Sequence, residues 1–223
     1  LEAAVRRACG GDTPPREQCH PLVVLEDDRH LVWIAPSLGG AVVRWRDKAL
    51  GAELLRGYEF PTLPGSIREW RVEPDGTAHP AVEAWEAVEQ TTDRLVLRAS
   101  TDDGLMLTRT AALDGEELAL MLEVRNRADE PCAPRLVLRP EFFTQGMHAP
   151  ELWVEGADGW SLVPPPPNPL ATPWRTQQVP VNGTQSWAFH APAANLSVVN
   201  RLGAAARGAL RFVANWEHRT QQA

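Results

Sequence analysis

The segment from Gly104 to Gly146 constrains the fold more than any other part of this 223-residue chain, because it predicts three consecutive β-strands. The side chains of the middle strand alternate between an apolar face and a mostly polar face. The apolar face carries Leu118, Leu120, Leu122 and Val124, and the other face carries Glu117, Ala119, Met121, Glu123 and Arg125. A period of two is typical of a strand with one buried face. The Asp114–Gly115 pair before this strand predicts a hairpin turn. The segment therefore predicts an antiparallel sheet with one face in the core and one in solvent.

Short strand patterns continue along the rest of the chain, with turn signals about every 8 to 12 residues and no later helical stretch. This pattern predicts an all-β antiparallel sandwich. Residues 1–9 predict one short N-terminal helix, followed by the breaker cluster GGDTPP. We therefore expect a helix and linker over residues 1–20, with the character of the end of a preceding domain, and one β-sandwich domain over residues 21–223. Two stretches, 57–80 and 164–169, are expected to form loops at its rim.

The composition excludes several classes of function. A net charge of −7 and a pI near 5.4, without any cluster of Lys or Arg, argue against a nucleic-acid partner. No apolar run reaches the roughly 18 residues that a membrane-spanning helix needs, and the N-terminus lacks the apolar centre of a signal peptide. We therefore expect a soluble protein without a membrane partner. Three cysteines, none in a Cys-x-x-Cys spacing, do not make a disulfide framework.

The order of the elements resembles the galactose mutarotase-like supersandwich family. The residues that carry the resemblance are the Gly104–Gly146 segment, which runs into RPEFFTQG, and WIAPSLGGAVVRWRDKALGAELLR from Trp33 to Arg56. In that family the third strand commonly ends in a His-Pro-aromatic-Phe signature. Members of that family open with a strand, a turn that contains Pro and Gly-Gly, a second strand and a short Gly-x-Glu-Leu-Leu strand. Over about half of the chain, the resemblance implies an antiparallel β-supersandwich of the galactose mutarotase-like type.

Nine tryptophans against one tyrosine suggest a saccharide ligand. The C–H face of a pyranose ring stacks on an indole, while its hydroxyls bind charged or amide groups at the edge. The candidates in or beside irregular segments are Trp70, Trp153, Trp160 and Trp174. The tryptophans within predicted strands are instead expected in the core. We expect a mono- or oligosaccharide as the partner, and the oligomeric state stays open.

The resemblance also implies a catalytic pair, because the enzymes of that family use a histidine as the acid and a late glutamate as the base. The signature position that would hold the histidine is Arg139 in this chain. An arginine stays protonated and cannot donate a proton in turnover, although it can bind a hydroxyl or carboxylate. Arg139 is therefore a candidate ligand-binding residue rather than an acid.

Four other residues are candidates for acid–base work. Glu141 shares a strand face with Arg139, and the alternative for it is an ion pair with Arg139 or Arg135 on a solvated strand face. Glu217 is the one late glutamate suited to act as a base, while His148 is a candidate substitute acid. His218 is a candidate for ligand binding or for the acid role. Each histidine could equally be an exposed bystander.

No motif in the sequence predicts a cofactor or a metal ion. Asp27–Asp28 and Asp102–Asp103 are adjacent carboxylates, and such pairs in turns usually accept hydrogen bonds from their own backbone. Zinc-type spacings, a Gly-x-Ser-x-Gly elbow, a P-loop and a dinucleotide fingerprint are all missing. The sequence therefore predicts no cofactor and no metal site.

Three functional hypotheses remain. The first is a carbohydrate-binding or structural accessory β-sandwich module of a larger carbohydrate-active protein. The second is an aldose 1-epimerase or mutarotase-type sugar isomerase with a rearranged acid–base pair. The third is a purely structural protein-interaction domain. The arginine at position 139 favours the first over the second.

Overall fold

The structure, a computed structural model, describes residues 20–55, 67–143, 151–156, 158–163, 174–182, 185–192, 196–203, 207–215 and 220–222. Side chains are described for 20–55, 67–138, 151–156, 158–163, 186–192, 197–201 and 203. The predicted all-β antiparallel architecture is confirmed. The chain divides into two compact units, residues 1–140 and 141–223. The helix expected over residues 1–9 lies outside the described residues, and the division into 1–20 and 21–223 stays a prediction.

One sheet of the first unit contains the strand to which the Arg139 position belongs. Its strands are β1 (Val23–Glu26), β2 (His30–Ala35), β3 (Ala41–Asp47), β4 (Ala52–Leu55), β5 (Ile67–Val72), β6 (Ala78–Pro80) and the beginning of β11 (Leu136–Phe143). Their order is β1–β2–β3–β5–β11, with β4 paired to β3 and β6 paired to β5, all antiparallel. The strands predicted from the sequence near β1 to β4 are confirmed.

The second sheet of the first unit contains most of the Gly104–Gly146 segment. Its strands are β7 (Glu86–Gln90), β8 (Arg94–Ser100), β9 (Leu105–Asp114) and β10 (Glu117–Asn126), in the order β10–β9–β8–β7. The hairpin turn predicted at Asp114–Gly115 is present, with Gly115 at a φ of +61°, and the turn between β8 and β9 likewise places Gly104 at a positive φ of +85°. The left-handed conformation suits glycine because it has no Cβ.

The core of the first unit is built from alternate residues of both sheets. Its fully buried aliphatic side chains are Leu25, Val32, Ile34, Val42 and Val43, Leu55, Leu95, Leu97 and Leu107. Burying one such side chain stabilises a fold by roughly 1.5–3 kcal/mol. Most of these positions follow the two-residue period that the sequence shows, whereas the adjacent Val42 and Val43 of β3 are both buried.

Strand β10 confirms the predicted alternation only in part. Leu118, Leu120 and Leu122 are half-buried, and Met121 between them is exposed. Val124 is 38% exposed, so its predicted place in the core is wrong. The reason is that β10 is the outermost strand of its sheet, and the core face of an edge strand is less completely covered.

The stretch 57–80, predicted as one rim loop, contains two strands, β5 and β6. The sequence IREWRV concealed β5 because charged residues occupy both of its faces. Glu69 is buried despite its charge, and the apolar alternation that would reveal a strand is lost. Residues 57–66 lie outside the described part of the chain.

The second unit contains two further antiparallel sheets. One has the order β13–β12–β15–β16, from β12 (Glu151–Gly156), β13 (Gly159–Val163), β15 (Gln185–Ala191) and β16 (Leu196–Leu202). The other pairs β14 (Trp174–Asn182) with β17 (Arg207–Asn215), β17 with β18 (Thr220–Gln222), and β18 with the end of β11. Strands β13, β14 and β18 were not predicted. Among the described residues, no helix has the length and apolarity required to cross a membrane.

Candidate functional site

The pairing of β5 with β11 brings two predicted ligand-binding positions onto one face of a sheet. Arg139 is the register partner of Arg68, and Val137 is the partner of Trp70. Directly paired residues of antiparallel strands lie on the same face. We call this surface, made by Arg68, Trp70 and positions 137 and 139, the Arg68–Trp70 face. Arg139 and Trp70 are diagonal neighbours on it.

Trp70 is held in a fixed position by its neighbour on the same strand face. The guanidinium carbon of Arg68 lies 4.1 Å from the centroid of the Trp70 ring system. Arg68 is buried and Trp70 is half-buried. A stacked cation of this kind contributes about 0.5–2 kcal/mol. Arg68 covers one face of the indole, so a ligand cannot stack on that face. The prediction that Trp70 belongs to an irregular segment is wrong.

The other face of β5 carries a buried ion pair that the sequence analysis missed. Nη1 of Arg109 lies 3.1 Å from Oε2 of Glu69 and also donates to the carbonyl oxygen of Gly40 at 2.6 Å. Arg109 is 1% exposed and Glu69 4% exposed. Arg109 occupies an inward position of β9 between Leu107 and Ala111. An arginine within this apolar series is the sequence feature that could have predicted a buried ion pair. The pair joins the two sheets directly beneath Arg68 and Trp70.

The Gly39–Gly40 turn packs closely against Arg68 and Arg109. The two glycines have φ of +63° and +66°. A Cβ on Gly40 would lie 2.9 Å from Cδ1 of Trp85 and 3.2 Å from Nη1 of Arg109. A Cβ on Gly39 would lie 3.8 Å from Cδ of Arg68. This close approach, together with the positive φ, explains why glycine occupies both positions of the turn. The sequence showed the Gly-Gly pair only as part of the family resemblance.

Exposed charges connect the end of β5 with its neighbours. Arg71 lies 2.7 Å from Asp103, and this contact raises the pKa of Arg71. The pKa of His79 on β6 is raised by its side-chain hydrogen bond with Glu73 at 2.9 Å, and then by the carbonyl of Pro80. The protonated form of His79 is thus favoured, and any stability that it contributes is present at acidic pH and lost as the pH rises through that pKa. The Glu73–His79 pair holds β6 beside the end of β5, whereas the Arg71–Asp103 pair connects β5 to the turn between β8 and β9.

Two other predicted ligand-binding tryptophans lie in strands of the second unit. Trp153 is in β12, where its Nε1 donates to Oε2 of Glu151 at 3.0 Å. Trp160 is in β13 and is 43% exposed. The expectation of an irregular segment is wrong for Trp160, which lies within β13. Trp160 is exposed, whereas Trp153 is half-buried.

The remaining candidates fall partly or wholly outside the described residues. The backbone of Glu141 pairs with Gln222, and Trp174 begins β14 opposite Asn215, but their side chains are not described. His148, Glu217 and His218 lie outside the described residues, and their roles stay predictions. Across the ranges that are described, no three His, Cys, Asp or Glu side chains come together in a way that could hold a metal ion.

No family model and no curated protein matches the chain by sequence. Solved structures do match it. A galactose mutarotase-like protein from Clostridium acetobutylicum superposes with a TM-score of 0.59 at 12% identity, over 91% of this chain and 85% of the other. The chain has the galactose mutarotase-like fold. A protein from Escherichia coli K12, provisionally described as an aldose 1-epimerase, superposes with a TM-score of 0.50 at 14% identity, over 91% of this chain and 97% of the other.

The galactose mutarotase-like fold confirms the supersandwich resemblance seen in the sequence. At these identities the likeness concerns the fold alone, and a fold of this kind does not determine an activity. Within it, the chain carries arginine at position 139, in the strand where the sequence resemblance implies a histidine.

Proposed function

We propose that the chain is a carbohydrate-binding accessory module that holds a saccharide on its Arg68–Trp70 face without opening the sugar ring. The observation that carries this proposal is the register of β11 on β5, which pairs Arg139 with Arg68. A guanidinium stays protonated at any working pH. Two such groups at paired positions suit the binding of hydroxyl or carboxylate oxygens, and neither can deliver a proton to the ring oxygen.

Trp70 supplies the apolar part of the proposed site. Its ring is half-buried and fixed by Arg68, and Val137, its partner on β11, is 37% exposed. An indole that is already immobilised loses little conformational freedom when a ligand stacks on it. A pyranose stacked on this ring would have its edge near the Arg139 position.

Trp70→Ala is expected to weaken the binding of mono- and disaccharides about tenfold, a loss of about 1.4 kcal/mol, because the stacking platform is removed. Isothermal titration calorimetry with glucose, galactose and their disaccharides measures the effect. Trp70→Phe keeps a smaller aromatic ring and is expected to lose less.

Met121→Ala is the control for this measurement, since Met121 is 61% exposed on β10, in the other sheet of the first unit. Its affinity for the small saccharides is expected to equal that of the wild type. The proposal fails if the wild type binds none of these sugars. It also fails if Trp70→Ala, with unchanged thermal stability, binds as tightly as the wild type.

A second candidate function is an aldose 1-epimerase-type isomerase. It is favoured by the alignment with 97% of the Escherichia coli structure that is provisionally described as such an enzyme. In that case Glu217 would act as the base, with Glu141 or His148 in the acid–base pair. Glu217→Gln would then abolish an acceleration of mutarotation, whereas the binding proposal expects no acceleration to abolish.

A further inference from the structure

The β13–β12–β15–β16 sheet of the second unit carries an apolar row across all four of its strands. Trp153 pairs with Leu162 on one side and with Ala188 on the other, and Ala188 pairs with Val199. Trp160 lies two residues from Leu162 and therefore on the same face. We call this surface, made by Trp153, Trp160, Leu162, Ala188 and Val199, the tryptophan face.

The tryptophan face is exposed at Trp160, Leu162 and Val199, half-buried at Trp153 and buried at Ala188. Trp160 and Leu162 are each 43% exposed, and Val199 is 48% exposed. On the opposite face, Trp187 and Phe189 are both buried. Neighbouring strands lie about 4.8 Å apart, so a row across four strands extends about 14 Å. Exposed apolar side chains that are grouped on one face in this way mark an interaction site more often than scattered exposed residues do.

Polar groups lie on both sides of the apolar row. Glu151 pairs with His190, whose Nδ1 lies 2.9 Å from the hydroxyl of Ser197. Glu155 pairs with Trp160 on the other side of the row. Glu151 also accepts the indole N–H of Trp153, so this ring is fixed and its polar atom is satisfied. The result is a flat apolar strip with hydrogen-bonding groups along its edges.

We propose that the tryptophan face binds a neutral polysaccharide chain. The C–H faces of successive sugar rings would lie on Trp160, Leu162, Trp153 and Val199. Their hydroxyls would donate to Glu151 and Glu155 and exchange hydrogen bonds with the His190–Ser197 pair. This binding does not depend on the Arg68–Trp70 face, which belongs to the first unit.

The charge of the tryptophan face and the size of its apolar row favour a neutral polysaccharide over an acidic glycan or a second copy of the chain. Acidic glycans are disfavoured because the described part of this face carries two carboxylates and one arginine, Arg201. The chain as a whole also has a net charge of −7. A stable protein interface needs about 800 Å² from each partner and a core depleted of charge. A single apolar row between two polar edges does not supply such a core, so a second copy of the chain fits less well than a sugar polymer.

The test is native affinity electrophoresis through gels that contain hydroxyethylcellulose, xyloglucan, galactomannan or soluble starch. The wild type is expected to be retarded by at least one of the four. Trp160→Ala is expected to weaken that association by roughly tenfold, as the loss of a stacking indole at a binding surface does. Leu162→Ala is expected to weaken it less. Because Trp160 and Leu162 are exposed, both variants should keep the thermal stability of the wild type.

Leu50→Ala is the matched control, because Leu50 is 62% exposed and belongs to the first unit, and its retardation is expected to equal that of the wild type. Absence of retardation in all four gels overturns the proposal, as does unchanged retardation of Trp160→Ala. Equal retardation in a gel of polygalacturonate overturns the assignment to neutral polymers. A concentration-dependent dimer that Trp160→Ala abolishes in analytical ultracentrifugation would instead make this face an interface between copies.

Discussion

Glu69→Ala is expected to lower the free energy of unfolding of the first unit by about 3–5 kcal/mol, the usual effect of removing one partner from a buried ion pair. Arg109 is 1% exposed and would keep its charge without a counter-ion. The hydrogen bond from Arg109 to the carbonyl of Gly40 does not compensate, because Nε and Nη2 of Arg109 find no partner among the described residues. Thermal unfolding followed by circular dichroism should show a decrease in Tm of about 10 °C.

The double variant Glu69→Leu with Arg109→Met separates the charge effect from the packing effect. Replacing both members of a buried pair with apolar residues of similar size is often neutral or stabilising. The double variant is therefore expected to recover most of the stability that Glu69→Ala loses. A Glu69→Ala variant as stable as the wild type would show that this ion pair does not hold the two sheets together.

Gly40→Ala is expected to destabilise the first unit by about 2–5 kcal/mol, for two reasons that add. The residue has a φ of +66°, where a side chain costs roughly 1–2 kcal/mol. Its Cβ would also lie 2.9 Å from Trp85 and 3.2 Å from Arg109, and overpacking a core typically costs about 1–3 kcal/mol. Chemical denaturation with urea measures the difference.

Gly51→Ala is the control for the backbone contribution alone. Gly51 has a φ of +63°, close to that of Gly40, but a Cβ there would meet nothing within 4 Å. This variant is expected to lose only about 1–2 kcal/mol. If the two alanine variants were equally stable, the close approach of the turn to Trp85 and Arg109 would have no energetic consequence.

These two stability results bear on the proposed binding site because of the alternation of β5. Glu69 points to the second sheet, while its neighbours Arg68 and Trp70 lie on the opposite face. Gly39, beside Gly40, approaches the Arg68 side chain. Loosening the buried pair or the turn is therefore expected to weaken saccharide binding at Trp70 as well, without any direct contact between these residues and the ligand.

The sequence predicted the fold well where local patterns are strong. Strands β8, β9 and β10, with the turns at Gly104 and Gly115, follow directly from apolar alternation and turn residues. Strand β5 was missed because its buried charge, Glu69, is neutralised by Arg109, which lies 40 residues away in the sequence. A local pattern contains no information about a partner at that distance.

The candidate site was predicted in its residue types but not in its arrangement. Trp70 and Arg139 were both expected to bind a ligand, and only the register of β5 and β11 shows that they share a face. Trp153 and Trp160 were also expected to bind a ligand, and the register of β12 and β13 places them on one face of another sheet. Register between distant strands depends on packing across the whole domain, which the sequence of one strand does not specify.

The most direct test of the proposed function is polarimetry with the sugar that calorimetry shows to be bound. The rate of interconversion between its α and β anomers is measured with the protein at a concentration that saturates the sugar site. The proposal expects the spontaneous rate, because Arg139 cannot act as a proton donor. A rate well above the spontaneous one, lost in Glu217→Gln, would contradict it and establish a mutarotase-type enzyme.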